Sequence, residues 1–285
     1  MRKDGAAEHQ ILAIPVHLRA ADVTWSILVR NLGAGEMFGK NPDAVLSTAS
    51  VGKILLLAEV ARRIEDGRLS ANEFVHRSVA DSVADSGLWQ HLDVDALTVR
   101  DAAVLIAATS DNLATNVLLR RIGVEAMDET AQVLGLEGVR LHDYVRDVRR
   151  PADPPRLSCG SAQELANIFE RIATRRLISP EVSRTIGRWL GLNTDLSMVA
   201  SALDLDPLAH AEEGPALAIM NKTGTDTGVR ADCGLVACSG VKVAYAAVAN
   251  WDPAVDSTLG DVMDDMRAIG GFIRSIVATE RPSGA

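Results

Sequence analysis

The sequence predicts an α/β protein of two lobes, with strands contributed by both chain ends and helices filling the middle. Three patterns carry this expectation. Trp25, Ile27 and Val29 alternate along one apolar face, and Gly33-Ala34-Gly35 followed by Met37-Phe38 turns them into an N-terminal hairpin. Leu217 to Lys222, Gly234-Leu235-Val236 and Val241 to Val248 supply late strands. Asp261 to Ala278 closes the chain as an amphipathic helix whose Val262, Met266, Ile269, Ile273 and Ile276 face a core.

The middle of the chain reads as helices in order. Ser50 to Glu65 is rich in alanine and leucine, lacks proline, and ends at Gly67. The pattern weakens between Leu69 and Asp95, then Val99 to Ala108 is helical and apolar. Ser110-Asp111-Asn112 interrupts that run with three small polar residues, which on their own cap helices, and Leu113 to Ile122 resumes it. Arg146 to Ser161 carries Arg149, Arg150 and Arg156 among Pro151, Pro154 and Pro155, the composition of a long ordered loop. Ala162 to Arg171 and Pro180 to Leu190 are again helical. The chain is therefore expected to form one domain, residues 1–285. An α/β lobe takes approximately residues 1–48 and 205–285, a helical lobe 49–204, and a cleft lies between them.

At 285 residues and 47% hydrophobic content, the chain can bury a sizeable core. Its 29 Lys and Arg against 38 Asp and Glu give a formal charge of -9, and no long basic block is present to grip phosphates, so nucleic acid is not an expected partner. No apolar run approaches the roughly 20 residues that cross a bilayer. The start, Met1 to Gln10, lacks the basic-then-apolar order of a secretory signal, which points to a cytoplasmic location. Cys159, Cys233 and Cys238 are odd in number, so at least one thiol stays unpaired in a monomer, and reduced buried cysteines are expected. The six histidines are scattered without ligand spacing, so neither a metal nor another cofactor is expected.

Chemistry concentrates in three short motifs. Ser50-Val51-Gly52-Lys53 sets a hydroxyl and an amine one helical turn apart, ahead of the apolar Ile54-Leu55-Leu56-Leu57. A helix start offers unpaired N–H groups to a developing oxyanion, and a desolvated lysine can take a seryl proton. Taken alone, the pattern also fits a capping serine and a solvated lysine. Ser110 and Asn112 add a hydroxyl that can relay a proton and an amide that can orient a carbonyl or amine. Lys222-Thr223-Gly224 adds a cation and a hydroxyl at the end of a strand, where it reads as a turn, with Gly224 permitting close approach of substrate to backbone.

With these three in this order, the chain resembles the penicilloyl serine transferases, and most closely the class A β-lactamases, whose signatures are Ser-x-x-Lys, Ser-Asp-Asn and Lys-Thr-Gly. The resemblance runs from the Trp25 hairpin to the terminal helix. It implies a β-lactamase/transpeptidase-like fold: an antiparallel sheet flanked by helices, an all-helical lobe, and an active site between them. It implies that Ser50 attacks a carbonyl, that Lys53 helps deprotonate it, and that Ser110 passes a proton to the leaving nitrogen with Lys222 nearby. Asn112 would hold the substrate's side-chain amide and Thr223 its carboxylate, with Arg230 adding a carboxylate contact after a one-residue adjustment. The N–H groups of Ser50 and Thr225 would form the oxyanion hole.

One position departs from the pattern. After Val139-Arg140-Leu141-His142-Asp143-Tyr144, Val145 stands where class A enzymes carry the loop glutamate that activates water, and valine accepts no proton. Asp147 is the nearest substitute base, Asp143 reads as a loop brace paired with an arginine, and His142 as a loop bridge. The expected function is a serine acyl hydrolase acting on β-lactam, ester or amide substrates, as a monomer binding a small acyl molecule. A penicillin-binding protein or weak β-lactamase that releases its acyl group slowly, and a binding or biosynthetic partner without turnover, are the alternatives.

Overall fold

The computed structural model describes residues 10–211, 217–255 and 258–279. Three N-terminal strands, β1 (Ile11–Ala13), β2 (Val23–Asn31) and β3 (Met37–Lys40), precede the short β4 (Leu46–Ser47) and helix α1 (Lys53–Glu65). The helical middle holds β5 (Phe74–His76), β6 (Ala96–Thr98), α2 (Val99–Thr109), α3 (Asn112–Ile122) and α4 (Ala126–Val133). After it come β7 (Arg140–Leu141), β8 (Ser158–Gly160), α5 (Ala162–Ala173) and α6 (Pro180–Leu190). The chain closes with β9 (Leu217–Asp226), β10 (Val229–Cys238), β11 (Val241–Trp251) and α7 (Thr258–Thr279).

The main sheet has the order β1-β3-β2-β11-β10-β9, so strands from opposite chain ends pair at its centre, β2 against β11. Every pairing is antiparallel except β1 with β3. The expected α/β architecture, a sheet flanked by helices beside a helical region, is therefore present. Both faces of β2 are covered: Trp25, Ile27 and Val29 join the cluster under α7, while Leu28 joins the cluster formed with α1, α2, α3, α5 and α6. Of the five residues expected to turn α7 inward, Val262, Met266, Ile269 and Ile273 are buried, whereas Ile276 is half-buried and Val277 takes the last core place.

Helix α1 is the centre of the second cluster. Its first nine residues, Lys53 to Ala61, are all buried, a helix apolar on nearly every face and so surrounded by others. The chain enters it through a tight 3₁₀ turn, Ala49–Gly52, rather than an α-helix begun at Ser50. Gly67 follows its end at a φ of 72°, the left-handed conformation that glycine adopts without strain.

Two readings need correction. Lys222-Thr223-Gly224 lies inside β9, which runs on to Asp226, and the turn comes only at Thr227 and Gly228. Pairing of Thr225 with Arg230 and of Asp226 with Val229 continues the ladder past the glycine, which local composition does not reveal. The loop from Arg146 ends in β8, because Ser158 to Gly160 pairs with β7 on one side and β4 on the other. Helix α4 carried no strong sequence signal and was not expected.

Among the described residues no helix is long and apolar enough to cross a membrane. The N-terminal residues on which the cytoplasmic expectation rests lie almost wholly outside the described ones. Cys159, Cys233 and Cys238 are all buried and free.

Candidate active site

The three motifs converge where α1 begins, where α2 gives way to α3, and where β9 forms the sheet edge. Lys53 is fully buried, and its Nζ donates to Ser110 O at 2.6 Å and to Asn112 Oδ1 at 2.7 Å, with Ser110 Oγ at 3.3 Å. Lys222, also fully buried, donates to the same Ser110 Oγ at 2.9 Å and to Thr223 O at 2.9 Å. Ser110 Oγ thus lies between two lysines, accepting from Lys222 Nζ and within reach of Lys53 Nζ.

Local backbone accounts for this convergence. Ser110 ends α2 in the left-handed conformation, φ 56°, which reverses the chain between the two helices. Asp111 is the N-cap of α3: one carboxylate oxygen accepts from Ala114 N at 2.8 Å, the other from Leu88 N and Trp89 N at 2.7 and 2.8 Å. The expected capping role and the expected site therefore coincide. Asn112 completes the tie by donating to Ala84 O at 3.0 Å.

Burial sets the charges. Desolvation, reinforced by the nearby Lys222 cation and only partly opposed by Asp111, pushes Lys53 well below the usual lysine range. A neutral amine has two hydrogens, which the two short bonds to Ser110 O and Asn112 Oδ1 use, and its lone pair remains to accept a proton. Lys222 is lowered to about 8, mainly by burial, with Asp195, Cys233 and Asp232 supporting its charge.

Ser50 lies one turn ahead of Lys53 in the 3₁₀ turn, half-buried, and follows Ala49 at a φ of 47°. Gly224 of β9 sits against it: a Cβ there would stand 2.1 Å from Thr48 O and 3.1 Å from Ser50 N. Only glycine permits that approach. Thr223 is buried beside Lys222, and Thr225 is exposed one residue beyond Gly224. Arg230, paired with Thr225 across the ladder, stacks 5.9 Å from the centre of the Trp251 ring and donates to Asp226 O and Val229 O at 3.1 and 2.8 Å.

The loop residues connect to this cluster through Ala84, which accepts from Asn112 and donates to Asp147. Val145 is half-buried against the helical core, and Asn116 clamps its backbone: Val145 N donates to Asn116 Oδ1 at 2.8 Å and Asn116 Nδ2 to Val145 O at 3.0 Å. Asp147 is exposed and accepts from Ala84 N at 2.8 Å. Asp143 bonds Arg146 and Arg149 at 2.7 and 2.9 Å, which also hold its carboxyl below the usual range although burial opposes them. His142 Nε2 lies 3.3 Å from Cys159 Sγ.

Sequence reasoning missed two contributors. Asn116 lies four positions beyond Asn112 on one face of α3, a spacing that could have signalled it. Asp232 had no signal. It is fully buried behind Lys222, and its Oδ1 accepts from Asn221 Nδ2 and Tyr245 OH at 3.0 Å each. Burial raises its carboxyl to about 7 despite those bonds. A carboxyl raised on folding holds a proton that the unfolded chain has released, so stability falls as pH rises from about 4 to about 7 and then levels. Between pH 5 and 8 the native protein should therefore lose up to about 3 kcal/mol more than Asp232→Asn, read from urea midpoints, and equal losses would refute a proton held on that carboxyl.

Comparisons with known proteins bear on the family and the fold. Beta-lactamase SME-1 of Serratia marcescens is 24% identical over 164 residues, 57% of this chain and 56% of that protein. The imipenem-hydrolyzing β-lactamase of Enterobacter cloacae matches to the same extent, so the chain spans little more than half the length of these curated relatives. Among solved structures, a β-lactamase from Sphaerobacter thermophilus DSM 20745 superposes with a TM-score of 0.77 at 24% identity, over 93% of this chain and 95% of that one. PBP-A superposes at 0.76 and 19% identity over 92% of each chain. A PBP-A mutant solved as an acyl-enzyme complex with penicillin-G does so at 0.73 and 19% identity, over 90% and 92%. The profile of the Beta-lactamase enzyme family matches residues 7–263, a span that takes in every candidate site residue from Ser50 to Arg230, and the chain belongs to that family.

Proposed function

We propose that this protein is a serine acyl hydrolase that forms a covalent acyl-enzyme on Ser50 with β-lactam, ester or amide substrates, in a cleft between an α/β lobe and a helical lobe. The observation that carries the reading is the hydroxyl of Ser110 held between two buried lysines, one driven toward its neutral form.

In this reading the protons pass from Ser50, one turn ahead of Lys53, to the lysine and on to Ser110. Neutral Lys53 takes the proton of Ser50 Oγ as that oxygen bonds the substrate's carbonyl carbon, and the N–H groups of Ser50 and Thr225 receive the oxyanion. When the intermediate collapses, Ser110 gives its proton to the departing nitrogen or oxygen and is reprotonated by Lys53, its neighbour at 3.3 Å. Lys222 stays charged and steadies negative charge near Ser110. Thr223 and Arg230 contact a substrate carboxylate, and Asn112 a substrate amide. For Arg230 to do so, its guanidinium turns from the two carbonyls that it caps.

Release of the acyl group needs a base for water. Val145 supplies none, and Asp147 must leave Ala84 N to reach it. This favours, as a second reading, a protein that acylates readily and releases slowly, in the manner of a penicillin-binding protein.

Intact-mass spectrometry tests both readings. Incubation with benzylpenicillin, or with an activated ester, should add the mass of one acyl group, and its rate of disappearance separates hydrolase from slow releaser. No adduct from any acyl donor would refute the proposal. The acylation rate should also follow a bell in pH, falling on the acid side as Lys53 gains its proton. Its alkaline limb should lie near pH 8, where Lys222 loses its charge. Lys222→Arg, which keeps the charge, should move that limb upward; an unmoved limb would assign it elsewhere.

A further inference from the structure

We infer that Ser158 is a positioning residue for the oxyanion hole: its buried hydroxyl holds the Ala49–Ser50 peptide in the orientation that aims Ser50 N–H at the substrate. The inference rests on the proposed acylation of Ser50 and adds a residue that none of the three motifs contains.

Ser158 opens β8, the strand packed beneath the turn that carries Ser50. Its side chain is completely buried, and its Oγ donates to Ala49 O at 2.5 Å. Thr48 Oγ1, buried to the same degree, lies 2.7 Å from Ser158 Oγ. Ser158 has one hydroxyl proton and spends it on Ala49 O, so Thr48 must be the donor of the second bond. The two hydroxyls form a directed chain, Thr48 to Ser158 to the Ala49 carbonyl, with neither rotor left free. The backbones are joined as well, Thr48 N donating to Ser158 O at 3.3 Å.

The peptide plane converts this contact into an effect on chemistry. In a trans peptide the carbonyl of one residue and the N–H of the next point in opposite directions within one rigid plane. The described chain has no cis bonds, so holding Ala49 O down toward β8 sends Ser50 N–H the other way. On that other side stands β9, where a Cβ on Gly224 would come 3.1 Å from Ser50 N. The orientation has to be held because Ala49 sits at a φ of 47°, a conformation that strains a side-chain-bearing residue and persists only when its surroundings enforce it. Gly52 shows how tightly they do so: a Cβ there would lie 2.3 Å from Ser158 Cβ, so the turn seats directly on the serine.

The test is the acylation rate constant of Ser158→Ala with benzylpenicillin, alongside binding of a boronic acid that forms a tetrahedral adduct on Ser50. A mis-aimed oxyanion donor should lower both together by about 10–100-fold, somewhat less than outright removal of such a donor. Non-covalent binding of benzylpenicillin should stay unchanged when Ser158→Ala is added to Ser50→Ala, because the ground-state carbonyl makes less use of the N–H. A residue that serves only to stabilise the fold would lower the thermal midpoint without producing this split. Thr48→Val, which keeps the volume and removes the donor that orients Ser158, should slow acylation severalfold, and it carries the test if Ser158→Ala does not fold. Unchanged acylation in either folded variant, or ground-state binding that falls by the same factor, overturns the inference alone. Absence of any adduct in the unmodified protein overturns the acylation reading and this inference with it.

Discussion

Ser50→Ala should abolish covalent labelling by benzylpenicillin and by activated esters, with no adduct at any time in the intact-mass spectrum. The hydroxyl is the only group in the cluster proposed to bond carbon. Lys53 and Lys222 are engaged with Ser110, Asn112 and Thr223, and Cys233, opposite Lys222 in the ladder, is fully buried and pushed well above its usual range by that burial. The fold should survive the change within about 1 kcal/mol, because Ser50 is half-buried and its side chain neither caps a helix nor fills the core. Labelling that persists at another residue would remove Ser50 as the nucleophile. Labelling lost together with the fold would show instead that the turn depends on the hydroxyl.

The second large effect concerns release. If the protein is the slow releaser of the second reading, its acyl-enzyme should be long-lived, and Val145→Glu should shorten that life by about 10²–10⁴-fold, the usual contribution of a placed general base. Asn116 makes this substitution informative. Its amide holds both polar groups of the Val145 backbone, so a longer side chain departs from a fixed point. The new carboxyl would begin half-buried, with a raised tendency to hold its proton, and the gain should therefore grow with pH. Time-resolved mass spectrometry of the adduct is the measurement. An unchanged lifetime would show that the loop does not face the acyl group. Asp147→Asn is the matched experiment on the native loop: slower loss of adduct assigns Asp147 the base role, and unchanged loss withdraws it.

Helices α2, α3, α5 and α6, the long α7 and the three late strands were legible because each writes its apolar period into a contiguous stretch. Less could be read where an element exists through its partners. Three residues of β8 form a strand because β4 and β7 flank them, and β9 continues beyond Gly224 because β10 pairs with it. Asp232 and Ser158 gave no signal for the same reason, since each acts on groups far away in sequence.

The sequence by itself determined the chemical inventory and its order: Ser50, Lys53, Ser110, Asn112 and Lys222 present, a valine at position 145, and the periodicity that makes their helices. Tertiary structure decided the state of those groups. Ser110 meets lysines 57 and 112 positions away. Burial from all sides, which no local window contains, drives Lys53 toward the neutral amine and brings Lys222 to about 8. The direction of Ser50 N–H likewise belongs to the folded protein, because it follows from a peptide plane held by a hydroxyl 109 positions from the carbonyl it binds.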